Sequence, residues 1–308
     1  MEGAATFGNE GEAARRGRTL LVVLALGVAF ILVSMAFAWL LKPLVEPRGV
    51  VLPIRPATVA AARPATVPPA AAPPVAAAAP QAAPAPVPAG PLLAVLVTDF
   101  PDREAEALEM MDRVPANVAV ALAPDHPALP ALAARARQRG LEIWLGLPLE
   151  PKNYPVISPG PNTLTRDATP PENLRRLQRV LAQVPRPAGL YTMMGSAFTA
   201  DEAAMQPIAR AIVTRGLPLI DSRVVAATVA GRSITEAGGK SLSNALFLDD
   251  EPRRDAIRGK LGRLTRMATK DGKAVTIARA LPATMDALAA FDTKAAGVTM
   301  VNPTMLLR

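Results

Sequence analysis

Residues 61–90 contain 14 alanines and 9 prolines, and no acidic residue occurs between Glu46 and Asp99. Such a stretch has no large side chains to bury against one another. Each proline also removes a backbone donor and fixes φ. This composition predicts a semi-extended, polyproline-like disordered linker over residues 42–90. At about 3.1 Å per residue, a linker of this kind reaches on the order of 100 Å at full extension. Only residues 91–308 of the 308-residue chain are then left to build a core.

The segment before the linker is of a third kind. Residues 19–41 form a 23-residue run without a charge, rich in Leu, Val, Ala, Phe and Ile. At about 1.5 Å per residue, a helix of that length crosses a bilayer core with slight tilt. Arg15, Arg16 and Arg18 precede it, whereas only Lys42 and Arg48 follow soon after, and Trp39 stands near the far end as an interfacial anchor. The charge asymmetry predicts a cytoplasmic tail over residues 1–18 and an exported C-terminal domain. In a Gram-negative bacterium this is a single-pass inner-membrane protein with a periplasmic domain. A signal peptide cleaved after Ala36-Phe37-Ala38 is the alternative, but the run continues through Trp39-Leu40-Leu41, beyond the usual apolar region of such peptides.

Zero cysteines exclude disulfides, thiolate zinc sites and a cysteine nucleophile. A single histidine, His126, excludes any site that needs two imidazoles, and a Ser-His-Asp triad would have to use His126 itself. The formal net charge of +8 raises the question of nucleic acid. Residues 91–308 carry 27 basic and 22 acidic residues, a net +5 with both signs interspersed. The densest basic cluster, Arg253, Arg254, Arg258, Lys260, Arg263, Arg266 and Lys270, lies on a predicted helix whose buried stripe is Ile257, Leu261 and Leu264. A solvated helix face is the simpler reading, and with few aromatics and an exported address no nucleic-acid partner is expected.

Residues 91–308 alternate short apolar runs with helical patterns. Strands are predicted at 92–97, 118–122, 141–147, 189–194, 217–221, 245–248, 274–278 and 298–300, and helices at 102–113, 129–139, 171–183, 203–215, 254–269 and 284–290. Gly140 and Gly216 stand where helix-ending glycines belong. The alternation predicts an α/β fold with a mostly parallel sheet, open or barrel-like. Ligands in such folds sit at the C-terminal ends of strands, which singles out Asp99, Glu150, Ser196, Asp221 and Asp249.

The strand ends also carry a resemblance. Leu92-Ala-Val-Leu-Val-Thr-Asp-Phe100, Gly140-Leu-Glu-Ile-Trp-Leu-Gly-Leu-Pro-Leu-Glu-Pro151, Met194-Gly-Ser-x-Phe-Thr199, Gly216-Leu-Pro-Leu-Ile-Asp-Ser-Arg223 and Phe247-Leu-Asp249 occur in this order. Together they resemble the divergent polysaccharide deacetylase family, in its YibQ-like group, across essentially all of residues 91–308. The resemblance implies a deformed (β/α) barrel of the carbohydrate-deacetylase (NodB-like, glycoside hydrolase/deacetylase) type and a carbohydrate-related role in the cell envelope. Asp99, Glu150 and Asp221 are the candidate catalytic residues, and Ser196, Ser222, Arg223 and Arg279 the candidate substrate-binding residues.

The departures from the family pattern point the other way. Where the family carries a pair of Asp after the first strand, this chain has Thr98 and Asp99. Where it carries histidines, this chain has Gly146, Met193 and, late in the chain, Arg279. Hydrolytic deacetylation needs a Lewis acid to activate water and polarise the amide, and zinc-like metals favour imidazole with carboxylate. Gly146 and Met193 offer no hard donor, and Arg279 repels a cation. The expectation is therefore no metal and no other cofactor, with a catalytically impaired domain that binds a cell-envelope glycan or a peptidoglycan-associated protein. The alternative is an active deacetylase or other carbohydrate hydrolase, with a divalent metal on a rebuilt carboxylate site of Asp99, Glu150 and Asp221. A third reading, a structural partner in division or secretion machinery, rests on the anchor and tether alone.

Simpler roles also exist for several of these residues. His126, in Pro124-Asp125-His126-Pro127, reads as a loop histidine that becomes a general base only if the cleft lies beside it. Asp221-Ser222-Arg223 reads equally as a strand-end turn and Met194-Gly195-Ser196 as a tight junction. Glu150 reads as the partner of an Arg, and Asp249-Asp250-Glu251 as a favourable charge before a helix N-terminus.

Overall fold

The computed structural model describes residues 88–308. The predicted cytoplasmic tail, transmembrane helix and nearly all of the linker lie outside the described residues. Among the described residues no helix is long and apolar enough to cross a membrane.

The chain alternates strand and helix. The strands are β1 (Leu92–Thr98), β2 (Ala119–Leu122), β3 (Ile143–Leu149), β4 (Gly189–Met194), β5 (Leu219–Asp221), β6 (Ser241–Ser243), β7 (Leu246–Phe247), β8 (Lys273–Arg279) and β9 (Thr299–Met300). The helices are α1 (Glu104–Arg113), α2 (Leu129–Gln138), α3 (Pro170–Gln183), α4 (Glu202–Thr214), α5 (Ala230–Glu236), α6 (Arg254–Asp271), α7 (Pro282–Ala289) and α8 (Thr293–Ala296). Local chemistry places several boundaries. The Thr169 hydroxyl accepts from the Glu172 N–H to cap α3, and the Asp201 carboxylate accepts from the Ala204 N–H to cap α4. Gly140 and Gly216, at φ 66° and 69°, turn the chain out of α2 and α4 as predicted.

All strand pairs are parallel, in the order β6-β5-β4-β3-β2-β1-β8-β7, with β9 added beside the start of β1. β6 and β7 lie at the two ends of this order, yet only Asn244 and Ala245 separate them in sequence. One segment, residues 241–247, therefore pairs with β5 through its first half and with β8 through its second. It curls the sheet and draws its two edges toward one another. The result is a curled parallel-sheet half-barrel wrapped by helices, consistent with the expected deacetylase-type architecture. Asn244 fastens the junction: its N–H donates to the Asp221 carbonyl at 2.8 Å, its side-chain amide donates to the Ser222 carbonyl at 3.1 Å, and its side-chain oxygen accepts from the Ile277 N–H at 3.1 Å.

The period-two alternation of β1 divides the core. Leu93, Val95 and Val97 join the larger apolar cluster that includes helix residues such as Met111, Leu132 and Ile257. Leu92, Ala94 and Leu96 join a second cluster with Trp144, Tyr191, Ile220 and Ile277 on the concave side. Residues 301–308 close the end of the sheet where the strands begin. Val301 and Leu306 belong to the concave cluster, and Lys273 Nζ at the start of β8 donates to the Leu306 carbonyl at 2.9 Å. Glu142, just before β3, accepts from Trp144 Nε1 at 2.8 Å and from the Thr304 N–H at 3.2 Å. With one end plugged by its own chain, the curled sheet presents its main cleft at the C-terminal ends of its strands.

Candidate functional site

The open end holds a cleft of about 850 Å³, lined by residues that end or follow β1 to β5, together with Phe247 and Ile277. That is the size of a small-ligand or short-segment site. Asp99 is the first residue past β1, with φ 53°. Asp is one of the few residues that tolerate this left-handed conformation. Its carboxylate is reached by solvent through the cleft mouth, although protein atoms crowd it on the barrel side. That partial dehydration pushes the carboxyl above the ordinary carboxylate range. The Thr98 side chain and Arg279 oppose the rise, and Asp249 adds to it. Tyr191, also lining the cleft, is buried, and both burial and the charge of Asp99 push its phenol upward, so it stays neutral.

His126 does line the cleft, but both of its ring nitrogens are engaged. Nδ1 accepts from the Ala128 N–H at 3.1 Å, and Nε2 lies 3.1 Å from the Phe100 carbonyl. With Nδ1 taken by a donor and Nε2 facing an acceptor, neither ring nitrogen is turned free into the cleft.

The positions where the family pattern would place imidazoles converge here. Met193 lines the cleft, and a Cβ on Gly146 would stand 3.2 Å from Met193 Sδ and 3.2 Å from the Tyr191 ring. Arg279 lies in an adjoining recess of about 210 Å³ that shares Thr98 and Asp99 with the main cleft. Its backbone N–H donates to Asp249 Oδ2 at 2.8 Å and its guanidinium to the Asp249 carbonyl. A side chain at position 146 would thus meet a thioether and an aromatic ring, neither of them a hard metal donor. Among the described residues no three His, Asp or Glu side chains converge to hold a metal ion. The residues present do not fit the metal that deacetylation requires.

Of the candidate catalytic carboxylates, Asp99 stands in the cleft and the other two do not. Glu150 is buried and accepts from the Arg166 N–H at 2.6 Å and from its guanidinium at 3.0 and 2.8 Å. It is the Arg partner anticipated from sequence, and it pins the connection between β3 and α3. Asp221 is also buried. It accepts from the Arg223 N–H and from the Thr228 hydroxyl, both at 2.9 Å, and so fixes the turn after β5. The oxygen-only trio is therefore not assembled.

The candidate binding residues divide in the same way. Ser222 lines the cleft and shares a 2.8 Å hydrogen bond with Thr192. Ser196 accepts from the Lys152 N–H in a separate hollow beside Arg166, and Arg223 borders a groove along the β6–β8 junction. Asp249 is not a helix-end charge. It is buried, binding Arg279 and the Thr284 hydroxyl, while Asp250 pairs with Lys260. Sequence reasoning missed Thr192, Met194, Val224 and the 158–161 loop as parts of the site. Of these, only Met194, flagged as a tight junction, left any local sign: it and Gly195 have φ 57° and 84°.

Residues 95–307 match the family described as divergent polysaccharide deacetylase. The chain is 30% identical over 207 residues to the uncharacterized protein YibQ of Escherichia coli, covering 66% of this chain and 63% of that protein. It is 29% identical over 177 residues to an uncharacterized Haemophilus influenzae protein, covering 58% and 62%. The chain thus spans under two thirds of the length of both relatives. The crystal structure of an uncharacterized Agrobacterium tumefaciens protein shares the fold with a TM-score of 0.69 at 28% identity, covering 72% of this chain and 92% of that one.

Proposed function

The chain belongs to the divergent polysaccharide deacetylase family, and from that premise we propose that its cleft binds an envelope ligand without hydrolysing it. The observation that carries this reading is the set of side chains that share the cleft with Asp99. Asp99 shares the cleft with Met193 and Tyr191, no three His, Asp or Glu side chains converge to hold a metal among the described residues, and the single histidine is committed to backbone partners. Water activation for amide cleavage needs a cation held in fixed geometry, and carboxylates that do not converge do not supply that. The 23-residue uncharged run and the Ala/Pro-rich stretch support the rest of the proposal. They give an inner-membrane anchor with a cytoplasmic N-terminus and a tether that carries the domain into the periplasm, where a cell-envelope glycan or a protein associated with it is in reach.

The test is metal analysis of the purified full chain, followed by assay of acetate release from N-acetylated oligosaccharides. Less than one zinc-class ion per chain and no acetate above background are expected. Stoichiometric metal with turnover that stops on chelation, or in Asp99→Asn, would establish the alternative, an active deacetylase.

A further inference from the structure

Among the described residues, the large apolar side chains that remain exposed are Tyr154, Val156, Ile157, Met194 and Val224. All five stand at or beyond the C-terminal ends of consecutive strands: three on the β3–α3 connection, one at the end of β4, one just after β5. Val156 is 91% exposed. Single exposed apolar residues are ordinary, but a set confined to one end of a domain marks a contact surface. Met194 and Val224 line the cleft itself, and Pro127, Pro159, Pro161 and Phe247 continue the apolar lining inward.

The charge of the cleft narrows what fits it. Asp99, Asp102 and Asp125 line it and no Lys or Arg does, although the whole chain has a formal net charge of +8. An acidic, apolar-rimmed cleft on a basic chain is complementary to a cation flanked by apolar groups. The lining also disfavours a sugar, whose ring faces pack on flat, accessible aromatic surfaces. Trp144 and Tyr191 are buried, Phe247, which lines the cleft, is half-buried, and Tyr154, the exposed aromatic of the five, does not line it. Methionine and branched aliphatic side chains adapt instead to other side chains.

We infer that the cleft docks a protein segment presenting a Lys or Arg between aliphatic or aromatic side chains. The cation faces Asp99 and Asp125, and the apolar neighbours lie on Met194, Val224 and Ile157. The inference rests on the binding reading above and names its occupant as a cationic, apolar segment of an envelope protein.

The experiment uses the full chain in lipid nanodiscs, with empty nanodiscs as the blank. Its probes are fluorescent 12-residue peptides carrying Arg or Lys flanked by Leu and Phe, twins with Glu in place of the basic residue, and soluble muropeptides as competitors. The basic peptides are expected to bind and the Glu twins to fail. Val224→Asp and Ile157→Asp, both at exposed positions, should each weaken binding about tenfold with the melting temperature retained. Asp99→Asn with Asp125→Asn should weaken it comparably and flatten its salt dependence. Failure of every peptide to bind, equal binding by the Glu twins, or indifference to Val224→Asp overturns the inference. Muropeptides that bind the cleft and displace the peptides overturn it too, but leave the binding reading standing. Metal-dependent acetate release would instead overturn the binding reading itself.

Discussion

Asp99 combines a left-handed backbone with a carboxyl raised by its surroundings. A carboxyl raised in the folded state favours its protonated form. Its contribution to stability is complete below the unfolded value, near 3.8, and is lost as pH rises through the raised folded value. Asp99→Asn removes the ionisation and keeps a residue that tolerates φ 53°. The variant should melt above the parent at neutral pH, and the gain should vanish below about pH 4. Parallel melting curves across pH check this, and a gain that persists in acid would refute it. Gly195 makes a steric counterpart. Its φ is 84°, and an added Cβ would stand 2.7 Å from Leu149 Cβ in the core. Gly195→Ala should cost about 2–4 kcal/mol in denaturant unfolding, from backbone strain and overpacking together.

At the scale of elements, period and punctuation were legible from the chain. The alternation in β1, the helix-ending Gly140 and Gly216 and the apolar stripe of α6 all appear where the sequence predicts them, within a few residues. Two elements beside the junction were missed. α5 has seven residues, too few for a periodic stripe to declare itself. β6 reads Ser-Leu-Ser, without the branched or aromatic residues that mark strands. Both are held by tertiary partners: β6 pairs with β5, the Ser241 hydroxyl donates to the Gly231 carbonyl of α5 at 3.1 Å, and Asn244 fastens the junction that follows β6. Removing its amide in Asn244→Ala leaves the Ile277 N–H and the Ser222 carbonyl without those buried partners. The expected loss is about 2–4 kcal/mol, read as a lower denaturation midpoint with an unchanged slope. A near-neutral variant would mean that strand pairing alone closes the sheet.

For the molecule as a whole, the plug formed by residues 301–308 decides which end of the sheet is open. Leu306 is 3% exposed in the concave cluster, and Leu306→Ala should cost about 2–5 kcal/mol, measured by thermal or chemical unfolding. Because the cleft lies at the opposite end, peptide binding by the folded fraction of Leu306→Ala should be unchanged. A shift in affinity as large as that of Val224→Asp would show that the two ends communicate. The residue types themselves carried a large part of the functional reading. One histidine, no cysteine, and Gly146 and Met193 at family positions for imidazole already argue against a nitrogen-ligated metal, since donor atoms are a property of side chains and not of their arrangement. What the sequence left open was which polar strand ends share a space. Asp99, Glu150 and Asp221 are equivalent as text, each a carboxylate closing a strand. Only the packed chain turns one toward the cleft and commits the other two to Arg166, Thr228 and backbone N–H groups, because a buried carboxylate must be satisfied by whichever donors the fold brings within 3 Å.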